Sequence, residues 1–340
     1  MEKILSIIVP TYNMERLLEK CLSSFIIKQM NLLEIIVVND GSKDKSSSIA
    51  HNFEGLYPNV FKVVDKKNGN YGSCINIGLS LATGKYVKVC DADDSFCSNE
   101  LEKYVDCLSK TNADMVISNY SVINDLGKKM NCIDFSFPSN RTDNIQGILT
   151  SVEFKKIQMH AIAYKRSIFS KFMYKQTEGI PYTDQEWIFM PMMYVETYLY
   201  LKYDVYQYLV GREGQTVDPK VAIRNLPHNI TVLKSRLSFY KNNKNSLHKE
   251  LISYYEYKLC EDALFIYRYI LFKKALNLEL LLELDDYIHM IDRQLYKTLG
   301  GASFIGYHYV KNWRKNRNKH LFFLISSLYR FLYKILKSSK

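Results

Sequence analysis

The sequence predicts an α/β fold: a sheet flanked by helices over the first 125 residues, then a mainly helical C-terminal region. Three observations carry this. Short runs rich in Ile and Val alternate with segments of helical periodicity. Each run stops at a cluster of turn-forming polar residues. Beyond about residue 220, three long helical patterns follow with few Gly or Pro residues.

Leu5–Val9 reads as a buried strand that Pro10, Thr11, Tyr12 and Asn13 bring to an end. Leu17, Leu18, Cys21, Leu22 and Phe25 recur at helical spacing. Glu34–Val38 is the second strand, closed by Asn39-Asp40-Gly41-Ser42, and residues 44–53 suit a short helix. Val60–Val64 is the third strand. A Gly-rich loop, Asn68 to Gly72, opens a helix that ends near Gly84. Tyr86–Cys90 is the fourth strand and runs into Asp91-Ala92-Asp93-Asp94; a helix over 99–110 and a strand over Asp114–Asn119 follow. This alternation predicts right-handed crossovers and a parallel sheet. Farther on, a strand is expected at His160–Tyr164, a helix opening at Pro181–Trp187 with a kink at Pro191, and a Tyr-rich strand over 198–209. The domain boundaries expected are 1–218 (1–125 for the donor side, 126–218 for the acceptor side), a helical region 219–300, and a basic amphipathic tail 301–340.

Composition narrows the function. Hydrophobic residues make up 47% and charged residues 24%, which is globular rather than disordered. Seven cysteines without a CxxC pair argue against a disulfide scaffold or zinc ribbon and suit a reducing compartment. The opening MEKILSIIVPTYN has too short an apolar run for a secretory signal, and no stretch reaches the roughly 18 apolar residues of a membrane span. The formal net charge is +11, but residues 301–340 hold nine Lys or Arg and no Asp or Glu, which leaves +2 for the first 300. A nucleic-acid-binding body is unsupported by that distribution.

Open α/β sheets bind ligands beyond the carboxyl ends of their strands. Polar clusters stand at three of those ends: Thr11–Asn13, Asn39–Ser42 and Asp91–Asp94. No GxxxxGK[ST] is present, and the first strand does not lead into GxGxxG, so P-loop and dinucleotide chemistry lose support. Adjacent carboxylates repel unless a cation neutralises them, and Mn2+ or Mg2+ beside a substrate phosphate suits an all-oxygen set. Asp94 or Ser95 is expected to cap the helix that follows, leaving Asp91 and Asp93 for chemistry.

These residues also carry a resemblance. SIIVPTYN (6–13), VVNDGSKD (37–44), NGNYG…NIGL (68–79), ATGKYV (82–87) and DADD (91–94) resemble, in order and spacing, the nucleotide-sugar domain of family 2 inverting glycosyltransferases. TDQEW (183–187) and GREGQTV (211–217) resemble acceptor-side motifs of capsular and cell-wall polysaccharide enzymes. The resemblance implies a GT-A fold and transfer of a sugar from a nucleoside diphosphate, with uridine the expected nucleoside. It assigns Pro10, Thr11 and Tyr12 to base and ribose, Asp40 to the base edge, Asn68, Asn76 and Ala92 to the donor, Asp91 to ribose or metal, and Asp93 to the cation. Ser73-Cys74-Ile75 stands where the family often has an alanine–arginine step.

Inversion requires a base opposite the leaving group. The resemblance implies Asp184, although Thr183 replaces the usual Glu before it; Glu186 is the competitor. His160, Trp187 and Gln215 are further candidates for donor or acceptor contacts, and Arg212 for the diphosphate. The partners expected are a nucleotide-sugar donor, a glycan or lipid-linked acceptor, and no nucleic acid. On a helix, 321–336 would present a narrow polar stripe beside a basic cluster that includes Lys311, Arg314, Lys315, Arg317, Lys319 and Trp313. That pattern suits attachment to an anionic membrane surface, hence a cytoplasmic protein peripheral to the inner face of the cell membrane. The oligomeric state stays open. Rival readings are a nucleotidyltransferase, which would carry a Gly-rich basic loop after the first strand, and a non-catalytic nucleotide-binding protein at the membrane surface.

Overall fold

The computed structural model describes residues 2–211, 224–272, 278–304 and 306–315. The chain divides into two compact units, Met1–Thr216 and Val217–Lys340.

The first unit opens with β1 (Leu5–Thr11), α1 (Leu18–Ser23), β2 (Leu33–Asn39), α2 (Ser46–Leu56), β3 (Phe61–Asp65), α3 (Asn70–Leu81) and β4 (Tyr86–Val89). β1 pairs in parallel with β2 and β4, and β2 with β3. The hydrophobic side chains of β1 and β2 are buried on both faces of the sheet, which is why these strands read as continuous Ile/Val runs rather than as alternation. β5 (Ser95–Phe96), α4 (Ser98–Lys110), β6 (Met115–Ile123), β7 (Lys129–Ile133) and β8 (Thr142–Asn144) follow. Next come two four-residue helices, α5 (Gln146–Leu149) and α6 (Val152–Lys155), then β9 (Ile162–Lys165), α7 (Asp184–Trp187) and β10 (Thr197–Leu209). Among the described residues the sheet order is β3-β2-β1-β4-β9-β6-β10-β5, with β7 on β6 and β8 on β10.

The parallel sheet expected from the first 125 residues is found in β1 to β4, and strands farther along the chain make the whole sheet mixed. β9 runs antiparallel to both β4 and β6. Because β9 is reversed, its entry lies at the edge where β4 and β6 exit. Val87 pairs with Tyr164, so continuing the register carries Asp91 toward His160. β10 lies parallel to β6 and so ends, through Tyr206 and Tyr208, at the same edge.

The helix expected to kink at Pro191 instead stops at Trp187. Pro191 lies in the first turn of a separate 3-10 segment, Met190–Tyr194, where its missing N–H has no partner to lose.

The second unit contains α8 (Leu226–Asn243), α9 (Lys249–Phe272), α10 (Leu278–Ile291), α11 (Arg293–Gly300) and α12 (Tyr309–Lys315). Its packing runs on past residue 300. Trp313 is buried edge-on to Tyr267, and Arg314 pairs with the buried Asp285 at 2.7 Å. These two residues therefore belong to the helical unit rather than to a surface cluster as expected. Residues 316–340, with Arg317, Lys319 and the 321–336 pattern, lie outside the described residues, as do Arg212 and Gln215. No helix among the described residues is long and apolar enough to cross a membrane.

Candidate functional site

The site is built on the carboxyl edge of the sheet. The turn after β1 is tied to the turn after β2: Asp40 N–H donates to the Thr11 carbonyl at 2.8 Å, Lys43 N–H to Asn13 Oδ1 at 2.8 Å, and Asn13 N–H to Ser42 Oγ at 3.0 Å. Thr11 is buried and bonds within its own strand, to the Val9 carbonyl at 3.2 Å. Pro10 is half-buried, and the Tyr12 ring is 47% exposed.

Asp40 has a structural task that its sequence position does not reveal. Its carboxylate accepts from Gly69 N–H (2.9 Å), Asn70 N–H (2.8 Å) and the Lys66 ammonium (2.5 Å), while Asn68 Nδ2 donates to its carbonyl at 2.9 Å. Gly41 allows the loops to meet: it adopts φ +73°, and a Cβ there would lie 3.2 Å from Asn68 N and from the Lys66 carbonyl. The Gly-rich loop is thus clamped by the second strand's turn.

At the end of β4 the three acidic residues part company. Asp94 is buried, accepting from the Tyr206 hydroxyl at 2.5 Å and from Leu209 N–H at 2.7 Å. Burial, and then the charges of Asp93 and Asp91, push its pKa well above the usual carboxylate range. Neither Asp94 nor Ser95 caps α4, which corrects that expectation. Cys97 occupies the cap without a side-chain bond, and Ser95 Oγ donates to Gln207 at 3.0 Å. Ala92 is buried, while Asp91 and Asp93 stay half-exposed. One ligand atom from each of Asp91, Asp93 and Asp94 falls within 4.8 Å of the others. With Asp94 bound to β10, Asp91 and Asp93 offer the hard oxygen ligands that Mn2+ or Mg2+ would take.

Tyr71 and Tyr208 sit among the carboxylates. The Tyr71 hydroxyl donates to Asp91 Oδ1 at 2.9 Å, and its pKa is pushed well up by burial and then by the charges of Asp91 and Asp184. Tyr208 is raised to about 12, chiefly by burial and then by the charges of Asp94, Asp91, Asp93 and Asp184. Asp184 reaches this edge through α7, which packs on the Met159–Ala161 turn that enters β9. Tyr71 and Tyr208 themselves were not singled out by sequence reasoning; the NYG step after Asn68 was the available signal.

His160 lies flat between Tyr206 (ring centroids 4.8 Å apart) and Tyr208 (4.5 Å), with Tyr120 edge-on at 5.4 Å. Burial, with the Lys88 charge second, lowers its pKa to about 3, so the ring is neutral. Below it, the fully buried Lys88 donates to the carbonyls of His160 (2.6 Å) and Ile162 (3.2 Å) where the β4–β9 ladder ends. Burial lowers the Lys88 pKa to about 7.

The segment leading to Asp184 is docked on α3. Gly72 is required by close approach: a Cβ there would lie 2.0 Å from the Thr177 carbonyl oxygen. Asn76 is spent on the same segment, which corrects its expected donor role. Its Nδ2 donates to the Gln176 carbonyl (2.9 Å) and Glu178 (2.8 Å), and its Oδ1 accepts from Gln176 N–H (2.8 Å). Glu186 is fully buried and accepts from the Thr177 N–H and hydroxyl, both at 2.7 Å, so it is a brace and not a rival base. Trp187 is also core, stacked on Phe169 at 5.1 Å and edge-on to Tyr164, which removes it from the contact residues. Asp184 alone of the acidic pair in α7 remains half-exposed, with Gln185 Nε2 at 3.3 Å.

Residues 6–173 match the family model "Glycosyl transferase family 2". The Escherichia coli glycosyltransferase YibD is 26% identical over 258 residues, 73% of each chain. Bacillus subtilis EpsH, a putative glycosyltransferase by name, is 35% identical over 130 residues, but that match spans only 36% of EpsH and 37% of this chain. Among solved structures, residues 1–349 of Staphylococcus aureus TarS, in complex with UDP-GlcNAc, superpose with a TM-score of 0.65 at 18% identity, covering 86% of this chain and 82% of that one. At that identity the likeness is one of fold, and the fold is GT-A.

Proposed function

Because the chain is a glycosyltransferase that belongs to family 2 through residues 6–173, we propose that it moves a sugar from a uridine diphosphate donor to a hydroxyl of a glycan or lipid-linked acceptor, with inversion at the anomeric carbon. The carrying observation is the sheet edge itself, where half-exposed Asp91 and Asp93 offer ligand atoms within 4.8 Å of each other, Tyr71 bonds to Asp91, and α7 with Asp184 packs on the Met159–Ala161 turn that enters β9. Asp184 takes the proton of the acceptor hydroxyl. Asp93, with Asp91, would hold Mn2+ or Mg2+, whose Lewis acidity would stabilise charge on the departing diphosphate. Exposed Tyr12 is assigned to the base and the β1 turn, with Pro10 and Thr11, to the nucleoside. Tyr71 fixes the Asp91 rotamer through its hydrogen bond.

The setting proposed is surface polysaccharide synthesis, of a capsule or cell wall, at the cytoplasmic face of the membrane. The sequence pattern 321–336 would supply peripheral attachment, and Arg212 and Gln215 remain proposed donor and acceptor contacts. Incubation with a panel of nucleotide sugars, with and without Mn2+, tests the reading through the nucleotide released. Release of nucleoside diphosphate from one donor supports it. Pyrophosphate release from a nucleoside triphosphate would instead favour the nucleotidyltransferase.

A further inference from the structure

A second charged site lies within the helical unit, in a cavity of about 440 Å³ at the end of α11, within the roughly 300–1,000 Å³ of ligand pockets. Its charged lining is all of one sign: Lys297, Lys311, Arg314 and Lys315, with no Asp or Glu. Arg314 is preorganised. Its Nε donates to Asp285 Oδ1 at 2.8 Å, one terminal nitrogen donates to the Tyr296 carbonyl at 2.7 Å, and the guanidinium lies 3.4 Å over the Tyr296 ring. Gly300 makes that seat available, since a Cβ there would come within 3.2 Å of the guanidinium.

Asp285 neutralises Arg314 from behind and is itself fully buried. The three lysines are exposed and have no ion pair among the described residues. Nor are they needed to answer the end of α11. Arg314 takes the Tyr296 carbonyl, the Gly301 N–H takes those of Thr298 and Leu299, and His308 meets that of Gly301 at 3.0 Å. Three ammonium groups around a concave space repel one another until an anion enters, and phosphate oxygens accept such charge-assisted hydrogen bonds strongly. We propose that this cavity binds a phosphate group, presented either by a phospholipid headgroup or by a soluble phosphate compound.

The test uses the full-length protein in EDTA, so that no metal holds phosphate at the sheet edge. Binding of inorganic pyrophosphate, and separately of dihexanoyl phosphatidylglycerol below its micelle concentration, is measured by calorimetry. The comparison is with Lys297→Glu/Lys311→Glu and with Lys241→Glu/Lys249→Glu, the latter an equal charge change elsewhere on the unit. The expected result is at least tenfold weaker binding for the cavity pair only. Pyrophosphate binding assigns the site to soluble phosphates, and binding of the lipid alone assigns it to a headgroup. The proposal falls if neither probe binds, or if the cavity pair binds as the control pair does. Should charge reversal abolish the melting transition, Lys297→Gln/Lys311→Gln is read in the same way.

Discussion

Replacing each acidic residue of α7 by its amide separates chemistry from support. Glu186→Gln keeps the shape of a fully buried side chain whose two acceptor contacts are both at 2.7 Å. The amide can still accept from the Thr177 N–H and turn its NH2 toward the hydroxyl oxygen. Only the charge assistance of two hydrogen bonds is lost, about 1 kcal/mol each, so about 2 kcal/mol of stability. For a unit of this size that lowers Tm by about 4–8 °C. Turnover should fall no more than a few-fold at a temperature where the protein is folded. Asp184→Asn keeps the shape of a half-exposed side chain, so Tm should move by less than about 2 °C. Losing the base should reduce kcat by at least about a hundredfold, or about 2.7 kcal/mol of barrier, with donor KM nearly unchanged. Nucleoside diphosphate release and differential scanning calorimetry on both variants give the four numbers. The assignment is refuted if Asp184→Asn turns over normally, or if Glu186→Gln loses turnover while keeping its Tm.

Asp93→Ala should abolish metal-dependent transfer while leaving the melting curve in place; full activity, or activity unchanged by excess EDTA, argues against the cation. Gly72→Ala should displace the Thr177 carbonyl, since the new Cβ would otherwise sit 2.0 Å from it; kcat should drop with donor affinity largely kept, and equal kcat would show the docking to be slack. Lys88 has a folded pKa of about 7, below its unfolded value. The unfolded state therefore binds more protons between about pH 7 and 10.5, and stability rises with pH across that window by up to about 1.4 kcal/mol per unit. Urea melts of Lys88→Met should lack that slope, and a slope identical to wild type would place the proton elsewhere.

The strands of the donor half were legible because β1 and β2 are buried on both faces and so are written as unbroken Ile/Val runs. The polar strand ends were legible for the same reason, as interruptions. The reversed strand β9 was not. Ile162–Lys165 is short and apolar, and nothing in four residues encodes which way they run. The candidate site divides along similar lines. Asp91, Asp93 and Asp184 are half-exposed, as a reacting carboxylate must be, but the letters alone do not set apart buried Asp94, which is the same residue type, or buried Glu186, which carries the same functional group. What separates these carboxylates is whether a Thr177 or Tyr206 hydroxyl lies within reach, and those partners are 9 and 112 residues away. Tyr71 and Tyr208 were missed because a chain with 27 tyrosines hides the two that matter.

The docking of residues 176–187 on α3 also sets an order of events. That stretch has a single four-residue helix of its own, and its anchors at Asn76 reach across 100 and 102 residues. Closing so long a loop costs entropy that no local structure repays in advance, so such contacts form late. Strands β1 to β4, which pair within residues 5–89 and lead into Asp91 and Asp93, can assemble before Asp184 is carried to them. A refolding chain should therefore regain affinity for its donor sooner than it regains turnover, and the interval between the two is the time that α3 takes to capture its partner segment.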